Sequence, residues 1–122
     1  MANDFKRFVK KDIGTGEGAS GSTVYTVPSS SSTAMESIVI GITIANKSTA
    51  GITCDVFLDA LGGASDDVYV VKDASIPAGS SLEVMSGNKL VLQGNGTAND
   101  ILKMTSSTAS AADGIVSVLE DV

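Results

Sequence analysis

The chain has no histidine, no tryptophan and a single cysteine, Cys54. Without histidine neither a Ser-His-Asp relay nor a Cys-His pair can be assembled. A zinc site of four cysteine or histidine ligands lacks the ligands to form. One cysteine cannot close an internal disulfide, and its place in an apolar alternation marks Cys54 as a small buried hydrophobe rather than a reactive thiol. The aromatic residues are few: Phe5, Phe8, Tyr25, Phe57 and Tyr69. They are too sparse for a sugar-stacking platform or a groove for single-stranded nucleic acid. No run approaches the roughly 18 apolar residues that cross a membrane, and "MANDFKRFVKKDIG" lacks the long apolar stretch and cleavage site of a secretory signal. The inventory therefore argues against an enzyme and against a cofactor, and leaves a non-enzymatic module as the expectation.

Positive charge is scarce outside the first eleven residues. Lys6, Arg7, Lys10 and Lys11 stand there against Asp4, giving +3, whereas residues 12–122 carry -9 within a total of -6. An acidic body does not suit a nucleic-acid-binding face. A basic segment on such a body suits an acidic neighbour, including another copy of the same chain; the plainer reading is a solvated terminal charge cluster. "DFKRFVKK" has an apolar spacing compatible with one or two helical turns, with Phe5, Phe8 and Val9 on one side, but it is too short to be stable without a partner surface.

What is abundant is alternation. In "SIVIGITIANKSTAGITCDVFLDA" Ile38, Ile40, Ile42 and Ile44 fall on one side of an extended chain and Val39, Gly41, Thr43 and Ala45 on the other. Ile52, Cys54, Val56 and Leu58 repeat the beat. Eight short strands are predicted, over 22–27, 36–46, 51–60, 67–73, 80–86, 89–93, 99–105 and 114–121. Gly87-Asn88, Ile76-Pro77-Ala78-Gly79 and Gly94-Asn95-Gly96 punctuate them as turns. Short strands at this spacing indicate an all-β fold, an antiparallel β-sandwich or jelly-roll-like barrel with an extended N-terminal arm. The division expected is a basic arm and Gly-rich linker over 1–21 and a sandwich over 22–122, with the apolar C-terminal strand paired inside a sheet.

Two other patterns mimic chemistry. "GTGEGASG" (14–21) looks like a phosphate-binding glycine loop, but strand sequence follows it where a helix is required, so it reads as a linker. Asp55, Asp59, Asp66 and Asp67 miss the spacing of an EF-hand loop. Asp55 and Asp59 are expected to face solvent, with calcium at the Asp66/Asp67 loop the lesser alternative. Tyr25 and Tyr69 read as aromatics at the core edge, with an interface position as the alternative.

The order of "DIGTGEGASGSTVYTVP", "SIVIGITIANKSTAGITCDVFL" and "VYVVKDASIPAGSSLEV…GIVSVLE" resembles small virion structural proteins of tailed bacteriophages, those of marine and cyanobacterial phages in particular. The likeness spans roughly residues 10–120. The chain departs from it at "QGNGTANDIL", where such proteins have a shorter turn. The resemblance implies a β-sandwich assembled in many copies on a particle, with no activity and no cofactor. The function expected is thus a virion structural protein, assembled in the host cytoplasm: first a capsid decoration (cement) protein bridging neighbouring subunits, then a neck, tail or fibre accessory part. A glycan- or host-surface-binding module is the alternative from another class. The expected partners are the major capsid or neck and tail proteins and further copies of the chain, with no nucleic acid and no membrane. The candidate partner-binding residues are Phe5, Lys6, Arg7, Phe8, Lys10 and Lys11, and removing residues 1–12 is expected to leave a folded domain that no longer joins particles.

Overall fold

In a computed structural model of the chain, the described residues are 3–16, 21–28, 35–59, 67–85, 89–94 and 98–121. They form two antiparallel sheets and no helix. The strands are β1 (Asn3–Lys10), β2 (Ser22–Thr26), β3 (Met35–Asn46), β4 (Ile52–Asp59), β5 (Asp67–Ile76), β6 (Ser81–Glu83), β7 (Leu90–Gly94), β8 (Ile101–Ser106) and β9 (Ala112–Asp121). The larger sheet runs β1-β9-β3, with β6 and β7 pairing end to end along the far side of β3; the smaller runs β2-β8-β4-β5. Successive strands mostly change sheets, so neighbours in space are distant in sequence. This interleaving of two four-strand paths is the order of a jelly roll, its sixth strand divided into β6 and β7.

The eight predicted strands are all present. The ninth is β1. The N-terminal stretch is extended as expected, but the helical alternative for "DFKRFVKK" gives way to a strand that pairs with β9 at eight successive positions, Asn3 with Asp121 through Lys10 with Gly114. Beyond it, Ile13 is fully buried and exchanges backbone hydrogen bonds with Ala112 (2.8 Å) and Ser110 (3.2 Å). The backbone of Gly14 accepts from Ser106 N–H at 2.9 Å. The start of the glycine-rich connector is therefore pinned to the sandwich. Its residues 17–20, the serine-rich loop at 29–33, Asn88, Asn95 and Asp66 lie outside the described residues.

The core lies between the sheets. Val39, Ile42, Ile44, Leu92, Val116 and Val118 from the larger sheet meet Tyr25, Cys54, Val56, Leu102 and Met104 from the smaller, all nearly solvent-free. Burying one such aliphatic side chain stabilises the fold by roughly 1.5–3 kcal/mol before entropy is counted. One feature of this packing overturns the simple alternation. A β-bulge between Val39 and Gly41 adds a residue to β3 opposite β9. It shifts the phase: Ser37, Val39, Ile42 and Ile44 point into the core, while Ile38 and Ile40 point out. The four isoleucines thus divide between two faces.

Local chemistry ends the strands. Ser80 N–H donates to Pro77 C=O at 3.1 Å across Ala78 and Gly79, and Gly79 has φ +71°, the left-handed value a type II turn requires at that place. After β3, the buried Asn46 amide donates to the carbonyls of Ala50 (2.8 Å) and Ile76 (3.0 Å), and its oxygen accepts from Ser48 N–H (2.9 Å). One side chain thereby satisfies backbone groups that the turn would otherwise strand without partners.

Candidate interaction surface

Strand β1 lies on the edge of the larger sheet, so its residues alternate between the core and the outer face. Lys6 and Phe8 point inward. The Phe8 ring packs against Tyr25, with centroids 4.6 Å apart. Lys6 Nζ lies 2.9 Å from Glu120 Oε1, and Glu120 is itself buried. Phe5, Arg7 and Val9 point outward; Phe5 is 77% exposed and Val9 62%. Lys11 is exposed, and Lys10, half-buried, lines a shallow, mainly apolar depression of about 270 Å³ beside Val9, Asp113 and Ile115. The six candidate residues therefore divide: Phe5 and Arg7 share the outer face, Lys10 and Lys11 lie at the end of β1, and Lys6 and Phe8 hold the strand to the sandwich.

The inward group was not legible as a site in the sequence. Tyr25 from the smaller sheet donates its phenolic O–H to Glu120 Oε2 at 2.6 Å, and its oxygen is also 2.6 Å from Ser37 Oγ. Ser37 and Glu120 are cross-strand partners on β3 and β9. Burial, reinforced by the Glu120 carboxylate, raises the Tyr25 phenol above its ordinary pKa. The phenol stays protonated and serves as donor. Lys6, Glu120, Tyr25 and Ser37 thus form one charged cluster that ties β1, β9, β3 and β2 together across both sheets.

The outer face of the smaller sheet carries a second set of polar groups. Asp55 and Asp59 point outward from β4, but they are not solvated as expected. Asp55 is 5% exposed, accepts from Asp73 N–H at 2.6 Å and lies 3.4 Å from Lys72 Nζ. Asp73 has φ +54°, an uncommon value for a non-glycine residue, which accompanies the bulges that break the β4–β5 register. Asp59 pairs with the buried Lys103 at 3.4 Å. A polar depression of about 210 Å³ opens between Asp55, Lys72, Asp73 and Thr105. Its one buried carboxylate, Asp55, is already committed to a backbone donor and a lysine. Among the described residues, no group of three or more acidic, cysteine or histidine side chains is arranged to hold a metal ion. Cys54 is buried as expected, and burial raises its thiol pKa, which holds it in the unreactive form. Tyr25 is a core residue. Tyr69 is 40% exposed, with its ring 5.4 Å from Phe57 and Lys72 Nζ 4.9 Å from its centroid.

Where β3 ends, Lys47 bridges Asp12 and Asp113, the latter at 2.9 Å. The Asp12 backbone N–H, 2.9 Å from Asp113 Oδ1, and then the Lys47 ammonium hold the Asp113 carboxyl below its ordinary pKa. This cluster ties the exit of β1 to the β3–β4 loop and the start of β9.

No protein-family model matches the chain, and no curated protein matches it in sequence. Solved structures match it by fold. Against the Gx strain of infectious bursal disease virus the chain aligns over 98% of its length and 33% of the matched chain, with 15% identity and a TM-score of 0.52. Against the T13 particle of the same virus the figures are 96% and 31%, with 15% identity and a TM-score of 0.50. Against the acid-stable capsid of Helicobacter pylori bacteriophage KHP30, all of the chain aligns with 89% of the matched chain, at 10% identity and a TM-score of 0.50. The chain thus spans about a third of the infectious bursal disease virus chains and most of the phage one, and the likeness is one of fold: a two-sheet β-sandwich of a kind present in viral capsid structures.

Proposed function

We propose that the chain is a non-enzymatic structural protein of a bacteriophage virion, a decoration (cement) protein that sits on the capsid and bridges neighbouring subunits. The observation that carries this reading is the end-to-end fold match to a chain of a phage capsid structure, in which the whole sandwich aligns with 89% of that chain. The buried Glu120, Tyr25 and Ser37 side chains, committed to one another and to Lys6, support it as a structural rather than a reactive cluster. The partners in this reading are other virion proteins and further copies of the chain. Contacts run through the outward side and end of β1, with Phe5 supplying apolar area and Arg7, Lys10 and Lys11 supplying positive charge toward acidic neighbours. Lys6 and Phe8 act indirectly, by holding β1 in register.

The test is co-sedimentation of purified chain with capsids lacking it, followed by imaging. Wild-type chain should bind at repeated lattice positions. Arg7→Glu combined with Lys11→Glu should bind at least tenfold more weakly while melting at the wild-type temperature. Attachment confined to a neck, tail or fibre would replace decoration with an accessory role, and no association with particles would end the virion reading.

A further inference from the structure

The outer face of the larger sheet carries an apolar row that the fold does not cover. Phe5 on β1 stands opposite Leu119 on β9. Leu119 stands opposite Ile38 on β3, and Ile38 opposite Val91 on β7. These four side chains form one ladder across four strands. Phe5 and Val91, at its ends, are 77% and 53% exposed, and Ile40, displaced outward by the bulge, adjoins it. A contiguous apolar row of this kind is unusual on a soluble monomer and marks an interaction surface.

Charge on the same face is polarised. Arg7 stands on the β1 side, two residues along from Phe5. Glu36 and Glu83 stand on the opposite side, on β3 and β6, both exposed, with one exposed cation among the described residues there, Lys89 just before β7, so that side stays net negative. Glu83 shares a cross-strand row with Thr43, Ile115 and Val9, the row next to that of Arg7.

From these two observations we infer that the face binds a second copy of the chain, outer face to outer face, about a two-fold axis parallel to the strands. That operation lays β1 of one copy over β6 and β7 of the other. Phe5 then faces Val91 and Leu119 faces Ile38, so the ladder meets itself in reverse order. Arg7 of each copy comes within one row of Glu83 of the other, twice by symmetry. A two-fold axis across the strands would instead stack β1 on β1 and bring the two Arg7 side chains to the same side, so charge selects the first arrangement. Packed sheets stand about 10 Å apart, which leaves room for one layer of side chains from each face. The contact is isologous and closes at two copies. It does not depend on the virion reading: the chain alone, in solution, is enough to form it.

The experiment is sedimentation velocity on the full chain, without particles, at tens of micromolar. The expected species has twice the chain mass of 12.3 kDa. Val91→Glu and, separately, Phe5→Glu should yield monomers with unchanged circular dichroism and melting temperature, because both positions are exposed. Arg7→Glu alters two symmetry-related pairs at once and should weaken the dimer about a hundredfold, roughly tenfold for each pair. Combining Arg7→Glu with Glu83→Arg should restore it. A monomeric wild type, a trimer or larger ring, or a dimer that both glutamate variants leave intact would overturn the inference.

Discussion

Replacing Tyr25 by phenylalanine removes one oxygen atom from the centre of the buried cluster and leaves the ring, with its packing against Phe8, in place. The lost hydroxyl donates to Glu120 Oε2 and is also within hydrogen-bonding distance of Ser37, each contact at 2.6 Å. A hydrogen bond to a charged acceptor contributes about 1.5–3 kcal/mol, and a buried acceptor left without its donor keeps its desolvation cost. Glu120 retains Lys6, whose side chain is 45% exposed and so screened by solvent. The expected loss is about 2–3 kcal/mol, a large part of the 5–15 kcal/mol typical of a domain. In a chain of this size that lowers Tm by about 8–12 °C. Urea unfolding should show a lower midpoint with an unchanged slope, because the surface exposed on unfolding is the same. Lys6→Met provides the companion measurement. Tyr25 and Lys6 act on one carboxylate, so the double variant should deviate from additivity by more than 0.5 kcal/mol, as for residues in one network. A loss below about 0.5 kcal/mol for Tyr25→Phe, or strict additivity with Lys6→Met, would refute the claim that the cluster locks β1 to both sheets.

Three further outcomes follow from the packing and the electrostatics. At Gly114, opposite Lys10, an added Cβ would lie 2.4 Å from Met104 Sδ and 3.3 Å from Ile13 Cδ1. Gly114→Ala should therefore cost about 1–2 kcal/mol by overpacking, softened by the flexibility of Met104, as measured by chemical denaturation. Asp113 has a depressed pKa in the folded chain, so its contribution is present above the unfolded carboxylate pKa and lost as pH falls through the folded value. Asp113→Asn should lower the melting temperature at neutral and alkaline pH, converge with the wild type at low pH and so flatten the acid side of the profile. Cys54, buried with its thiol pKa raised, should resist a thiol reagent in native buffer and react fully in urea; fast native labelling would contradict its place in the core.

How far the sequence disclosed this molecule depends on which residues carried the message. Alternation in 36–46 and 51–60 marked β3 and β4 because both bury one side against a core, and Pro77 with Gly79 marked the turn after β5. The same alternation misassigned Ile38 and Ile40, because a bulge adds one residue without leaving a trace in composition. From sequence alone, strand β1 reads as a basic arm for a related reason. As an edge strand it has one face open to water and one against the core, so Phe5 and Phe8 fall on opposite sides amid lysines, the pattern with which edge strands resist unwanted pairing. The buried charges were hidden outright. Glu120 near the chain end and Asp55 beside apolar residues look like ordinary surface acids, and only tertiary pairing with Lys6, Tyr25, Lys72 and the Asp73 backbone makes their burial tolerable. Of the candidate partner-binding residues, Phe5 and Arg7 do face outward, whereas Lys6 and Phe8 face the core. Deleting residues 1–12 would therefore strip an edge strand and expose Glu120, so point substitutions on the outward side of β1 are the sharper probes of partner binding.

The account stands on this sandwich being a repeated tile of a viral particle, and a cryo-electron-microscopy reconstruction of particles assembled with and without the chain tests that most directly. The predicted result is a nine-strand, two-sheet density at symmetry-related positions on the capsid surface, absent from particles lacking the chain and contacting adjacent subunits through β1. Identical maps from the two preparations would contradict it.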